Sequence, residues 1–108
     1  MRILSKAEEL VLLAVWHLKD MAYGVAVRRY IMEMTGEKWS IGAIYVPLDR
    51  LTKWNYLQAS QGEPSAERGG RSKRYYRVTA AGREALEFTR AVQDQMWSRV
   101  KDLELKPD

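Results

Sequence analysis

The stretch Gly69-Gly70-Arg71-Ser72-Lys73-Arg74-Tyr75-Tyr76-Arg77-Val78-Thr79-Ala80-Ala81-Gly82 changes character twice. Two glycines lead into a run from Ser72 to Val78 that alternates with the two-residue period of a strand, and Thr79 then stands where a helix needs its N-cap. Along that strand Lys73, Tyr75 and Arg77 fall on one face, and Arg74, Tyr76 and Val78 on the other. An earlier run from Leu57 to Glu63 has the same period, with Pro64, Gly69 and Gly70 between the two. The pair reads as a hairpin with a long mobile tip. Between Pro64 and Arg77 stand five basic residues, Arg68, Arg71, Lys73, Arg74 and Arg77, against one acid, Glu67. This segment carries +4, which is also the formal net charge of the whole 108-residue chain, with its 18 Lys and Arg against 14 Asp and Glu. The remainder sums to zero, so the positive field is local and favours an anionic partner.

Upstream of the hairpin the period is helical. Ser5 followed by Glu8 is a capping-box pattern, and Leu10, Val11, Ala14, Val15 and Leu18 recur at helical spacing within a first helix expected over residues 5–19. Leu12, Leu13 and Trp16 make this helix apolar on more than one side, as expected if it meets both its own domain and a second surface. After Lys19-Asp20-Met21-Ala22, a second helix from Tyr23 to Thr35 stops at Gly36, with Ala26, Tyr30, Ile31 and Met34 as its buried face. Ser40 can cap a third helix running to about Trp54. That helix turns Ile44, Leu48 and Leu51 inward and Ala43, Tyr45, Asp49, Arg50 and Lys53 outward. Pro47 lies too deep to be a first-turn proline and crowds the carbonyl of Ala43, so a kink or a late helix start is expected there. Asn55 is the expected stop, because Asn tolerates left-handed backbone.

Beyond the hairpin a final helix meets no proline until Pro107, and about 24 residues from Arg83 to Lys106 would span roughly 36 Å. Its stripe of Leu86, Thr89, Met96, Val100 and Leu103, flanked by Ala85, Phe88, Val92 and Trp97, is longer than a core of this size can cover. The simplest second surface is the same helix of another copy.

Composition narrows the function classes. The chain is 46% hydrophobic and 30% charged, a foldable composition for one domain, and a domain of this length buries only about two-thirds of its unfolded surface. That leaves little room for a large catalytic cleft. There is no cysteine and one histidine, His17, which removes disulfides, zinc ribbons and thiol catalysis and makes a transition-metal site unexpected. His17, at the end of an apolar helix, reads as structural. Glu8-Glu9 and Glu84-Glu87 read as carboxylates near helix starts rather than acid–base pairs. No nucleophile–base arrangement or phosphate-cradling glycine loop is found, so the chain is not read as an enzyme and no cofactor is expected. The longest apolar stretch, Leu10 to Trp16, is far below the roughly 20 residues of a membrane span. With no leader pattern before it, the protein reads as soluble and cytoplasmic.

Three helices followed by a two-stranded ribbon is the order of a winged helix-turn-helix, a mainly α fold with a small antiparallel hairpin. In such folds the third helix enters the DNA major groove and the wing touches backbone or minor groove. Tyr23-Gly24, Ser40-Ile41-Gly42-Ala43-Ile44-Tyr45, Leu48-Asp49-Arg50-Leu51 and above all the Gly69 to Gly82 stretch resemble the PadR family of bacterial transcriptional regulators, over roughly residues 5–103. The resemblance implies a homodimer that binds a palindromic operator in double-stranded DNA, usually as a repressor. It also implies a winged domain over residues 1–79 and a dimerisation helix over 80–108 packed on the same domain. Two positions depart from the family pattern: Val46 separates Tyr45 from Pro47, which are often adjacent, and Asn55 stands where glycine is common.

On this reading Ser40, Gly42, Ala43, Tyr45 and Arg50 on the third helix, and Arg68, Arg71, Lys73 and Arg74 on the wing, are the DNA-binding residues. Short family members resembling this chain sense planar aromatic compounds at the dimer interface, which makes Trp97, with Trp16 or Met96, the ligand-binding residues to consider. Plainer readings stand beside these. A hairpin tip can be kept in solution by its charge, an exposed helix face explains Tyr45 and Arg50, and Trp97 suits a dimer-core anchor. For the chain as a whole, the alternative is a winged-helix protein-interaction module without operator binding, whose basic wing meets an acidic protein surface.

Overall fold

The computed structural model describes residues 2–64, 72–101 and 103. In chain order these form α1 (Lys6–Leu18), a 3-10 turn (Lys19–Met21), α2 (Gly24–Thr35), α3 (Ile41–Lys53), β1 (Leu57–Pro64), β2 (Ser72–Val78) and α4 (Ala80–Lys101). The arrangement is a winged helix with a long C-terminal helix, as the order of elements predicts.

Local chemistry sets each boundary. At the start of α1 the Ser5 hydroxyl accepts from the Glu8 N–H at 3.2 Å while the Glu8 carboxylate accepts from the Ser5 N–H at 2.8 Å, closing the capping box. Gly36 ends α2 in the left-handed region at φ 71, where its N–H donates to the Met32 carbonyl. A side chain there would be strained. Ser40 caps α3 by accepting from the Ala43 N–H at 3.0 Å. Asn55 follows that helix with φ 64, as expected of a residue that tolerates left-handed backbone. The late start considered for Pro47 does not occur: the helix begins at Ile41 and continues through the buried Pro47. The carbonyl robbed of its donor belongs to Ala43, an exposed residue, where water can satisfy it.

One expected face and one expected boundary are corrected. In α2 Ile31 is buried as expected, but its buried companions are Gly24 and Val27, with Ala26 and Tyr30 half-buried and Met34 open to solvent. Met34 stands in the last turn, past the surface against which α2 packs. The final helix is capped by Thr79 as expected and so starts at Ala80, ahead of the Arg83 where the expected span begins: the Thr79 hydroxyl accepts from the Gly82 N–H at 3.0 Å and donates to the Asn55 carbonyl at 2.7 Å. Gly82 lies so close to the Tyr56 carbonyl that a Cβ would overlap it. The helix is described to Lys101, Leu103 lies past it, and residues 104–106 of the expected helix lie outside the described residues.

The hairpin pairs Leu57 with Val78 and runs in register to Gln61 opposite Arg74, with an irregularity before Pro64 and Ser72. It is fastened to the helices from the side. The Tyr76 N–H donates to the Ala22 carbonyl at 2.8 Å, and Tyr23 makes an isolated bridge to Tyr75. Val11, Leu12 and Val15 of α1, Ile31 of α2, Ile44, Leu48 and Leu51 of α3, and Leu57 and Tyr76 of the hairpin form the core. From α4 only Gly82, Ala85, Leu86 and Thr89 reach it. The predicted stripe is therefore divided: its first half serves its own domain, and only its second half is left without a surface.

Candidate nucleic-acid interface

The outward face of α3 follows from its buried one. With Ile44, Pro47, Leu48 and Leu51 inside, successive steps of 100° bring Gly42, Val46, Asp49 and Lys53 to the centre of the opposite side. All four are exposed, as are Ser40, Ile41 and Ala43 at the start of the helix. Val46 is absent from the face predicted by sequence, although the angular count that places Lys53 outward also places Val46 there.

Two predicted members of this face also do internal work, Tyr45 as a half-buried residue and Arg50 as an exposed one. Tyr45 is half-buried, and its hydroxyl occupies the space a Cβ at Gly24 would need. This accounts for the glycine beside Tyr23: α2 must begin without a side chain so that Tyr45 can pack over it. Arg50 donates to the Glu8 carboxylate at 3.0 Å, tying the middle of α3 to the first turn of α1. Glu8 is only 5% exposed. Burial alone would push its carboxyl up, but the Ser5 backbone N–H, the Arg50 guanidinium and the Ser5 hydroxyl together hold it below the ordinary carboxylate value. Sequence reading took Glu8 for a helix-start carboxylate only, since nothing local points to a partner 42 residues away. At the end of the helix the Arg2 guanidinium lies 3.7 Å from the centre of the Trp54 ring.

The two described cations at the start of β2 are held by aromatic rings of α2's cap and of the strand itself. The Lys73 ammonium sits 4.2 Å above the Tyr23 ring, and Tyr23 meets Tyr75 edge-on at 5.6 Å. Arg74 is exposed, 5.5 Å from the ring of the buried Tyr76. Burial pushes the Tyr76 phenol up; the charge of Arg74 acts against this, and Asp49 and Tyr45 act with it. The phenol thus lies where wing and third helix both act on it. Lys73 is set beside Tyr23, at the start of α2 where Tyr45 of the third helix packs over Gly24. Arg77 points elsewhere, sharing a depression with Trp16, Lys19, Asp20 and Arg83. Arg68 and Arg71, together with the rest of the predicted tip, lie outside the described residues.

The residues considered for an aromatic ligand are only partly brought together. Met96, Trp97 and Val100 form an apolar surface on the far part of α4, where Trp97 is 68% exposed. Trp16 instead lines a groove between α1 and α4 with Leu13, Leu86, Glu87 and Arg90. His17 stacks on Tyr30 at 4.4 Å, a packing role. Among the described residues no cluster of His, Asp and Glu could hold a metal ion, and no helix is long and apolar enough to cross a membrane.

The sequence profile of the transcriptional regulator PadR-like family matches residues 12–88. Among solved structures, the fold is similar to a PadR-like transcription factor from Bacteroides fragilis, with a TM-score of 0.73 and 22% identity over 87% of this chain and 85% of that one. A PadR-like transcriptional regulator from Bacillus cereus superposes with a TM-score of 0.72 at 22% identity, covering 93% and 92% of the two chains. A Streptococcus transcriptional regulator does so with 0.70 at 21% identity, covering 87% of each. No curated protein matches the chain significantly.

Proposed function

Because this chain belongs to the PadR-like family of transcriptional regulators, and is therefore a DNA-binding regulator rather than an enzyme, we propose that it is a homodimeric repressor of a palindromic operator. The observation that carries this reading is the joined surface of α3 and the wing: an open helix face beside Lys73 and Arg74, at the root of the one segment that holds the chain's positive excess. In this reading α3 lies in the major groove with Ser40, Gly42 and Ala43 nearest the bases. Lys73 and Arg74, with Arg68 and Arg71, neutralise phosphates and fix register without reading sequence. Tyr45 and Arg50 serve the same surface by holding the helix against α2 and α1. Residues 1–79 make the DNA-binding unit and residues 80–108 the pairing helix, which sets two recognition helices about 34 Å apart on one face of the duplex. The protein works where its operator is, in the cytoplasm. The apolar surface of Met96 and Trp97, with Trp16 contributed from α1, supports release by a flat aromatic compound.

Salt tests the reading. Affinity for a fragment carrying the operator falls steeply with salt, and replacing Lys73 and Arg74 with Ala flattens the slope of log K against log salt by about 0.9 for each phosphate that is no longer neutralised. A slope unchanged by both substitutions overturns the assignment of the wing to phosphates. No shift with any duplex overturns the operator reading.

A further inference from the structure

The polar side chains of the third helix are mostly spoken for. The Ser40 oxygen accepts the Ala43 N–H, Tyr45 is packed over Gly24, Arg50 donates to Glu8, and the Thr52 hydroxyl donates to the Leu48 carbonyl at 2.7 Å. Asp49, Arg50 and Lys53 are exposed, but they belong to the second half of the helix, and it is the first half of a recognition helix that reaches base edges. Between Ile41 and Val46 the outward positions are Ile41, Gly42, Ala43 and Val46, none with a hydrogen-bonding side chain. Val46 is 56% exposed and Ile41 45%. Val46 stands in water at the centre of the outward face, and Ile41 stands in water at the start of the helix, to one side of it.

Gly42 adds an independent observation. A Cβ built there meets nothing closer than the Ser40 hydroxyl at 4.0 Å, and the backbone at Gly42 is not left-handed. Nothing among the described residues requires glycine at this point, although glycine weakens a helix. A body outside the protein that approaches the helix backbone does require it.

The duplex presents one apolar group in the major groove, the C5-methyl of thymine. Resting on the operator reading above, we propose that α3 recognises thymine methyls by apolar contact, with Val46 as the specificity-determining residue, flanked by Ile41 and Ala43 and admitted to close range by Gly42. Lys73, Arg74 and Lys53 supply the complementary charge for the phosphates around it.

The test uses the full chain and a duplex that it selects from random DNA. Each thymine of that duplex is replaced in turn by deoxyuridine, which lacks only the methyl. At one or two positions of each half-site affinity falls about four-fold, the worth of one buried methyl. Val46→Ser removes both γ-methyls at an exposed site outside the core and leaves the thermal melt close to that of the wild type. In that variant thymine and deoxyuridine bind alike at the sensitive positions. Wild-type binding that is indifferent to deoxyuridine everywhere overturns the proposal while the operator reading stands. A full thymine preference in Val46→Ser overturns the assignment to Val46. If no duplex is selected, the operator reading falls and the proposal with it.

Discussion

Glu8 shows how one side chain serves two elements, since its carboxylate completes the cap of α1 and holds Arg50 of α3. A carboxyl whose pKa is lower folded than unfolded stabilises the fold in full above its unfolded value. It gives that stabilisation up as pH falls through the folded value. The contribution of Glu8 is therefore intact at neutral pH and is lost in acid, beginning below the ordinary value of 4.5. Glu8→Gln should lower the unfolding free energy at pH 7 by about 1–3 kcal/mol, the usual worth of a hydrogen bond to a charged group. The gap to wild type should close as both are taken into acid, where Glu8 is itself uncharged. Urea unfolding at the two ends of that range measures it, and a gap independent of pH would show that the charge of Glu8 is not what matters. None of this was legible beforehand. The cap could be read because Ser5 and Glu8 are neighbours in sequence, whereas Arg50 reaches Glu8 only after three helices have packed.

Elements were legible where their signals are local. Ser5, Ser40 and Thr79 each cap a helix by hydrogen bonds spanning three residues, and the period-two runs pair in the hairpin they predict. What remained hidden were demands imposed from another element, and two glycines in helices separate the kinds. Gly82 is fixed by the Tyr56 carbonyl, a contact with backbone that cannot yield, while Gly42 faces open space. Gly82→Ala should cost about 1–3 kcal/mol, as overpacking usually does. Gly42→Ala should instead stabilise the fold by up to about 1 kcal/mol through helix propensity, yet weaken operator binding, because the new methyl stands where the groove must come close. Thermal melts and binding isotherms on both variants give the two signs. A Gly42→Ala protein that is more stable and binds DNA unimpaired would leave that glycine without an outside reason.

At the scale of the molecule the shape is the informative quantity. The radius of gyration is 16.7 Å and the longest dimension 60 Å, against about 13 Å of radius for a compact chain of this length. Part of the excess is α4. No residue of that helix past Thr89 is buried, and the last to hold the domain is Gln93, whose amide reaches the Glu9 carboxylate at 3.5 Å, so the seven residues from Gln95 to Lys101 extend about 10 Å beyond it. A helical segment that short is marginal in water by itself, and the Arg90–Asp94 pair before it, at 3.7 Å, is exposed on both sides, the kind of contact worth only tenths of a kcal/mol. The sequence revealed that the stripe was too long for one core but not where the division falls, because Leu86 and Thr89 carry no mark that distinguishes them from Met96 and Val100. Packing against α1 and β2 makes the distinction, and it leaves Met96, Trp97 and Val100 uncovered, the surface that the proposed second copy would meet with the same three. Val100→Asp places a charge in that surface without touching the domain core. Light scattering should then report one chain where the wild type has two, and the melting temperature, concentration-dependent for the dimer, should become independent of concentration. Circular dichroism should still show the folded winged domain. Affinity for the operator should fall by at least about 100-fold, since two half-sites bound through one linked pair gain effective concentration that separate chains lack. A variant that stays dimeric would move the pairing surface off the far part of α4, whereas one that turns monomeric yet binds the operator undiminished would show that pairing, though real, does not set the spacing of the recognition helices.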